Sequence, residues 1–251
     1  MRLDKAIFER KLAQSRSRAE MLILSGAVKV NGNVSTKPSQ NVEENDEIEI
    51  EDIAYVGRGG LKLEGALDTF ELDVQDLVAL DVGASTGGFT QCLLKKGVKK
   101  VFAVDVGHGQ MAEEISNDER VELFEDTNAK DIFPQMFDQK IDIAVMDVSF
   151  ISQTALYPAL FLCVSQAVIL VKPQFELEKK FLTKKGIVKD KRLYPLVFKK
   201  IQAEANKNGM QIEKACASSI LGGDGNKEFF VLLTRGTKEF DVDKFFKEGK
   251  I

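Results

Sequence analysis

The sequence holds 251 residues, of which 44% are hydrophobic and 29% charged, with a formal net charge of −4. This composition is typical of a globular chain and excludes a disordered, collagen-like or low-complexity protein. Three widely spaced cysteines without a C-x-x-C pair, together with a single histidine, argue against a disulfide scaffold and a zinc site, so we expect no metal.

Charge is distributed unevenly and marks a small basic unit at the N-terminus. Residues 1–40 contain eight Lys or Arg and three acids, whereas residues 41–52 contain seven acids and no base. A solvated charged surface is the alternative explanation of this pattern. The glycine-rich stretch Gly57-Arg58-Gly59-Gly60 then predicts a flexible joint. The predicted divisions are a module over 1–54, a hinge over 55–60, a large domain over 61–240 and a tail over 241–251.

Local patterns in the basic unit predict two short helices followed by a small β-unit. Ser15 is a candidate N-cap and Gly26 a candidate C-cap of the second helix. Asn31-Gly32 between apolar residues predicts a β-hairpin, and Ile48 and Ile50 alternate with acids as a closing strand. The apolar residues at helical spacing are Leu3, Ile7, Phe8 and Leu12 in the first helix and Met21, Leu22 and Leu24 in the second.

This order of elements resembles the RNA-binding module shared by a small-subunit ribosomal protein, some pseudouridine synthases and tyrosyl-tRNA synthetases. The matching residues are Ser15-Arg16, Ala19, Leu22-Ile23, Gly26, Val28-Lys29-Val30-Asn31-Gly32 and Lys37. Within this module Arg16, Arg18 and Lys29 are the candidates for contacts with RNA phosphates, since cations on short elements supply affinity without reading sequence.

The remainder of the chain alternates short apolar runs with helix-length segments. This alternation predicts a parallel sheet covered by helices on both faces. In such sheets ligands bind beyond the carboxyl ends of the strands, so these ends are the candidate positions of a site. The predicted strands are residues 77–82, 101–106, 141–146, 167–171 and 229–233.

The first predicted strand leads into a glycine-rich turn that opens a helix. Such a turn lets the backbone approach a ligand closely. Asp105, at the end of the second strand and 22 residues after Gly83, is placed to accept hydrogen bonds from ribose hydroxyls. These features permit a dinucleotide or S-adenosylmethionine, and the turn departs from the G-x-G-x-x-G spacing of dinucleotide sites. The turn residues are Gly83, Ala84, Ser85, Thr86, Gly87, Gly88 and Phe89.

Four charged residues flank the strand ends or the glycine joint. Asp147 and Lys172 each end a strand, Glu228 begins the last strand, and Lys62 follows the joint. Each alone is compatible with an ordinary surface charge. Four of them beside apolar strands favour a site, because charges near apolar strands are costly to remove from water.

These residues fall in segments that resemble the TlyA family of ribosomal RNA 2′-O-methyltransferases, often labelled hemolysin A, and more distantly the FtsJ/RrmJ-like methyltransferases. The resemblance implies an α/β fold: a Rossmann-like S-adenosylmethionine-dependent methyltransferase sheet with a small N-terminal α+β RNA-binding domain. The segments are Gly57 to Leu63, Asp81 to Thr90, Asp105 to Gln110, Asp147 to Ser152, Val171 to Glu176 and Gly225 to Phe229.

The resemblance also implies an activity and a set of site residues. The activity is S-adenosylmethionine-dependent methylation of a cytidine ribose 2′-hydroxyl in ribosomal RNA, with ribosomal subunits as partners. The family's catalytic tetrad falls on Lys62, Asp147, Lys172 and Glu228. The turn from Gly83 to Phe89 would hold the methionine part of the cofactor, Asp105 its ribose and Asp126 its adenine amino group. An ordinary turn acid is the alternative for Asp126.

The chemistry asks for such a tetrad because a ribose 2′-hydroxyl is a weak acid and a poor nucleophile. It must be aligned with the methyl group and must lose its proton as the new bond forms. A neutral Lys172 could accept that proton, or a charged Lys172 could stabilise the developing oxyanion. We expect Asp147 to orient Lys172, and Glu228 and Lys62 to position the ribose.

Three other functions remain open at this point. A membrane-active toxin, as the hemolysin label suggests, requires an inserting segment, and the charge-free stretch 148–171 is the candidate. That stretch contains several polar residues and favours a buried helix and strand instead. A non-catalytic RNA-binding assembly factor and a dinucleotide oxidoreductase are the others. No secretory signal is visible, so we expect a cytoplasmic protein without stable membrane association.

Overall fold

The structure is a computed structural model that describes residues 1–13, 15–24, 26–50, 55–222 and 225–248. Contacts divide the chain into two units, Met1–Arg58 and Gly59–Ile251. The division falls inside the segment 55–60 that the glycine-rich sequence marks as a boundary. Each unit has a hydrophobic core of its own.

The N-terminal unit consists of two helices and a three-stranded antiparallel sheet. The sheet has the order β2-β1-β3. The elements are α1 (Leu3–Glu9), α2 (Arg16–Leu24), β1 (Val28–Val30), β2 (Asn33–Ser35) and β3 (Ile48–Ile50).

Local sequence signals explain these elements. The Ser15 hydroxyl accepts a hydrogen bond from the Arg18 backbone N–H at 3.1 Å and caps α2, as predicted. Asn31 and Gly32 both have positive φ, +50° and +75°, which is the geometry of a tight turn between β1 and β2. The predicted apolar face of the first helix is wrong in part. Phe8 and Leu12 are exposed, because α1 ends after two turns and buries only one side.

The larger unit is built on a seven-stranded sheet with the order β6-β5-β4-β7-β8-β10-β9. The first five strands in this order are parallel, and β10 is antiparallel to both neighbours. The strands are β4 (Val78–Val82), β5 (Lys100–Val104), β6 (Val121–Phe124), β7 (Ile143–Met146), β8 (Gln166–Val171), β9 (Met210–Ala217) and β10 (Phe229–Arg235). The helices are α3 (Arg58–Phe70), α4 (Gly88–Lys95), α5 (Glu113–Ser116), α6 (Tyr157–Cys163), α7 (Pro173–Glu176), α8 (Tyr194–Lys207) and α9 (Val242–Lys247).

The direction of the last strand differs from the fully parallel sheet that the sequence pattern predicts. The chain returns from β9 to β10 without a crossover helix, and strands joined in this way run antiparallel. The pattern also missed β9, whose residues alternate between buried and accessible positions and include three charged or polar side chains.

The structure differs from expectation at both ends of the larger unit. Arg58 to Gly60 form the first turn of α3 rather than a flexible joint, and a Cβ at Gly59 would lie 3.1 Å from the Phe89 ring. Gly59 therefore permits close packing against Phe89 at this point. The segment expected as a tail contains α9, whose Val242 and Phe245 are buried in the core.

The stretch 148–171 forms a 3-10 turn, α6 and the buried strand β8. Across the described residues, we find no helix with the length and apolar character needed to cross a membrane.

Candidate active site

Three of the four predicted catalytic residues lie at one edge of the seven-stranded sheet. Asp147 follows β7, and its backbone N–H donates to Val82 at the end of β4. Val171 of β8 pairs with Phe229 of β10. Lys172 is the next residue after Val171, and Glu228 is the residue before Phe229, so the two lie at the same end of the paired strands. This antiparallel pairing is what brings Glu228 to the carboxyl end of the parallel strands.

The four charged side chains form two ion pairs. Lys172 Nζ lies 2.5 Å from Asp147 Oδ1 and donates to Ser149 Oγ at 2.7 Å. Lys62, on α3, donates to Glu228 Oε2 at 2.6 Å, and these side chains are only 8% and 4% exposed. Removing two charges from water costs energy that their attraction only partly returns, so such a pair is weak evidence for a stabilising role.

The glycine turn after β4 is packed against the residue that ends β7. Gly83 has a φ of +84°, and a Cβ at this position would lie 2.5 Å from the Asp147 carbonyl oxygen. No other residue type fits this combination of backbone angle and contact. The turn therefore brings the backbone at Gly83 directly beside the Lys172–Asp147 pair.

Asp105 is held at the end of β5 by two backbone donors. Its Oδ2 accepts from the Ser85 N–H at 2.8 Å, and its Oδ1 accepts from the Gly107 N–H at 2.7 Å. These bonds connect the glycine turn to the loop after β5 and fix the carboxylate between them.

A cavity of about 540 Å³ opens between these loops. Its size lies within the range of roughly 300–1,000 Å³ common for small-molecule sites. Gly83, Ser85, Asp105 and Asp147 are the predicted site residues that line it. The other lining residues are Val104, Val106, Gln110, Thr127, Asn128, Ala129, Val148, Ser149, Phe150, Ile151 and Leu156.

The other predicted cofactor residues do not line this cavity. Ala84 is buried, and Gly87 has a φ of +90° where the turn enters α4. Gly88 and Phe89 belong to α4 itself, and Thr86 is likewise outside the lining. Asp126 is 73% exposed, with its Oδ2 3.1 Å from His108 Nδ1. The neighbouring Thr127 and Asn128 line the cavity in its place.

The loop after Asp147 contains lining residues that sequence reasoning did not assign. Phe150 has a φ of +65° and is 92% exposed, with its ring centroid 5.2 Å from that of Phe175. Ser149 orients Lys172 through the hydrogen bond described above. Their position directly after a charged strand end was the one available signal for both.

Beneath the site, Asp81 is fully buried in β4. Its Oδ2 accepts from the Thr90 hydroxyl at 2.6 Å, and its Oδ1 has no hydrogen-bond partner among the residues that the structure describes. Burial raises the pKa of Asp81 to about 7, and the nearby charge of Asp147 acts in the same direction. The strand that enters the glycine turn therefore contains a carboxyl group that titrates near neutral pH.

In the N-terminal unit, predicted phosphate-binding cations also make contacts within the protein. Arg16 forms an ion pair with the buried Asp4 at 2.8 Å. Arg18 donates to the carbonyl oxygens of Tyr55 and Val56 at 3.3 and 3.1 Å. Lys29 lies in β1. The guanidinium groups thus contribute to the folding of the unit in addition to any role at its surface.

Comparison with known families identifies both units. The FtsJ-like methyltransferase family matches residues 55–235, and the S4 domain matches residues 1–48. The larger unit is therefore a methyltransferase of the FtsJ-like class. The seven-stranded sheet and the loop-lined cavity both lie within the residues that match this family.

Relatives that match nearly the whole chain narrow the family. Hemolysin A of Brachyspira hyodysenteriae is 42% identical, over 91% of this chain and 98% of the relative. The 16S/23S rRNA (cytidine-2′-O)-methyltransferase TlyA of Mycobacterium tuberculosis is 38% identical, over 94% and 90%. A solved structure from Streptococcus thermophilus, described as a hemolysin, is 36% identical with a TM-score of 0.78, over 100% and 94%. The chain belongs to the TlyA family, which confirms the resemblance seen in the sequence.

Proposed function

We propose that this protein transfers a methyl group from S-adenosylmethionine to the ribose 2′-hydroxyl of a cytidine in ribosomal RNA. The observation that carries this proposal is the Lys172–Asp147 pair at the rim of the loop-lined cavity, at the same sheet edge as the buried Lys62–Glu228 pair. The activity in the name of the Mycobacterium relative supports the same substrate.

The cavity fits the cofactor in size and in chemistry. Its walls combine apolar side chains, which suit an adenine ring, with the oriented Asp105 carboxylate, which suits ribose hydroxyls. Gly83 and Ser85 line the cavity, and we expect them to contact the methionine part of the cofactor. Thr127 and Asn128 also line it, and we expect them, rather than Asp126, to contact the adenine. Bound there, S-adenosylmethionine would supply a methyl group already activated by its positive sulfur.

The four residues of the tetrad have different roles at the 2′-hydroxyl. Asp147 and Ser149 hold Lys172 Nζ in one orientation, so that it faces the 2′-oxygen with its position already determined. A neutral Lys172 would take the proton that leaves this oxygen, whereas a charged Lys172 would stabilise the negative charge that develops on it. Lys62 and Glu228 form a buried hydrogen-bonding pair that positions the ribose.

The N-terminal S4 unit would bind ribosomal RNA, with Arg16, Arg18 and Lys29 as phosphate contacts. A ribosomal substrate places the enzyme in the cytoplasm.

Labelled methyl transfer tests the proposal directly. Purified protein and S-adenosylmethionine bearing a labelled methyl group are incubated with separated ribosomal subunits from a strain that lacks this gene. We expect label in ribosomal RNA, and mapping of the modified nucleotide to give a 2′-O-methylcytidine. Absence of label from both subunits, or label on a base, would contradict the proposal.

The variant Lys172→Ala tests the role of the tetrad. We expect methyl transfer to fall by about 100- to 10,000-fold, since general acid–base catalysis is worth roughly 10²–10⁴ in rate and stabilisation of a developing oxyanion roughly 10²–10³. The affinity for S-adenosylmethionine, measured by calorimetry, should stay within about twofold. The control Lys199→Ala removes an exposed lysine of α8 that pairs with Asp243. Full activity of Lys172→Ala would remove this residue from the mechanism.

A further inference from the structure

A strongly basic segment follows the strand end that contains Lys172. Residues 179–192 include seven cations and one acid, Asp190, which gives a net charge of +6. The cations are Lys179, Lys180, Lys184, Lys185, Lys189, Lys191 and Arg192. None of them belongs to the tetrad or to the S4 unit.

This segment, which we call the basic hairpin (residues 179–192), has a defined conformation. Leu182 and Val188 form an antiparallel bridge, and the Thr183 N–H donates to the Ile187 carbonyl at 2.7 Å. The Thr183 hydroxyl accepts from the Ile187 N–H at 3.1 Å, and Gly186 turns the chain with a φ of +76°. Lys184 and Lys185 therefore lie exposed on an ordered turn.

The buried side chain of Asn226 attaches the basic hairpin to the catalytic edge of the sheet. Its Oδ1 accepts from the Val188 N–H at 3.0 Å, and its Nδ2 donates to the Gly186 carbonyl at 3.1 Å. Asn226 lies two residues before Glu228, and the hairpin begins seven residues after Lys172. The basic hairpin is thus connected on both sides to residues of the tetrad.

Several of these cations have no anionic partner in the part of the chain that the structure describes. Among the described residues, the exposed side chains of Lys179, Lys184, Lys185 and Lys191 make neither a hydrogen bond nor an ion pair. Lys180 and Arg192 are paired with neighbouring acids, Glu178 and Asp190. Four unpaired like charges within one ordered segment repel each other, and an external polyanion would relieve this repulsion.

We propose that the basic hairpin binds the phosphate backbone of the RNA substrate beside the target ribose. This proposal rests on the proposed function, because it gives the methyltransferase unit a phosphate contact of its own in addition to the S4 unit. Ammonium groups of lysine bind phosphates as point charges and read no base sequence. The basic hairpin therefore contributes affinity and register on the RNA, and the tetrad performs the chemistry.

A matched pair of double variants tests this proposal. Lys184→Gln/Lys185→Gln removes two charges at the turn, and the control Lys99→Gln/Lys140→Gln removes two exposed charges before β5 and β7, at the opposite edge of the same sheet. The measurements are kcat and KM for ribosomal subunits and equilibrium binding of the protein to a single-stranded RNA at several salt concentrations.

For the hairpin variant we expect KM to rise about tenfold. The slope of log affinity against log salt should become shallower by roughly 0.7 for each RNA phosphate that the variant no longer neutralises. We expect kcat with saturating subunits, and the affinity for S-adenosylmethionine, to stay within about twofold of the wild type. The control should keep the wild-type values. A hairpin variant whose KM and salt slope equal those of the control would overturn the proposal.

The same measurements distinguish failure of the hairpin proposal from failure of the proposed function. If wild-type protein methylates neither subunit, the salt dependence of RNA binding still decides the role of the basic hairpin. The last measurement is binding of the protein to vesicles of anionic phosphatidylglycerol. Vesicle binding that depends on Lys184 and Lys185, together with unchanged RNA affinity, would overturn the proposal in favour of a lipid surface.

Discussion

At Gly83 the backbone turns with a φ of +84° directly against the carbonyl group of Asp147. Two neighbouring strands can therefore place the glycine turn and the Asp147 backbone within contact distance. A side chain at this residue would have to displace the backbone of Asp147. The site thus requires a residue without a side chain at position 83, as well as the charged side chains around it.

The variant Gly83→Ala tests this dependence. A non-glycine residue with positive φ costs roughly 1–2 kcal/mol, and the contact with Asp147 adds to that cost. The control Gly109→Ala has a φ of +63° and meets nothing within 4 Å, so it carries the backbone cost alone. We expect denaturant unfolding to show a clearly larger loss for Gly83→Ala, with weaker binding of S-adenosylmethionine. Equal losses in the two variants would show that the contact is unimportant.

At the scale of elements, the loop after β7 is fastened to α7 and α8 by one buried carboxylate. Glu176 Oε1 accepts from the Gln153 backbone N–H at 2.8 Å. Its Oε2 accepts from the Ser152 hydroxyl at 2.6 Å and from Lys200 Nζ at 2.7 Å. The same loop presents Ser149 to Lys172. Glu176 is therefore a positioning residue that connects the strand ends of Asp147 and Lys172.

The variant Glu176→Gln tests this connection. The side chain keeps its shape, but an amide hydrogen replaces an acceptor among several donors, and a hydrogen bond to a charged group is worth about 1.5–3 kcal/mol. We expect kcat to fall about tenfold, with KM for ribosomal subunits and the affinity for S-adenosylmethionine nearly unchanged. The exposed control Glu178→Gln should behave as the wild type. A lower melting temperature with unchanged kcat would show that Glu176 is purely structural.

At the scale of the whole molecule, the two units bury separate cores. The core of the S4 unit is small, and it is supplemented by ion pairs between the buried Asp4 carboxylate and the half-exposed side chains of Arg2 and Arg16. The hydrogen bond from Arg2, together with Arg16, lowers the pKa of Asp4 to about 2. Asp4 therefore stabilises the S4 unit above about pH 4, and this contribution is lost as the pH falls from about 4 to 2.

The variant Asp4→Asn tests whether the two units are stabilised separately. It leaves the two arginines without their anion, and a pKa difference of about two units corresponds to roughly 2–3 kcal/mol. Hydrogen exchange read by mass spectrometry suits this chain, which contains no tryptophan. At pH 7 we expect faster exchange within residues 1–58 and unchanged exchange in the larger unit. The exposed control Glu9→Gln should change neither, and loss of protection in both units together would refute separate stabilisation.

Much of this protein follows from its sequence by local physics. The cap at Ser15, the turn at Asn31-Gly32 and the apolar strands before Asp147 and Lys172 depend on neighbouring residues and on short periodic patterns. Parallel strands place their carboxyl ends at one edge, so the residue types at those ends already indicate a site there. The family resemblance then indicates which reaction to expect at that site.

Only the tertiary structure decides which of these residues meet. Lys62 and Glu228 are 166 residues apart, and their contact requires β10 to run antiparallel beside β8. The cavity is lined by Thr127 and Asn128 rather than by Asp126, and Glu176 acts on a loop that no sequence pattern connects to it. Such pairings depend on strand order, register and long-range packing, which local periodicity does not encode.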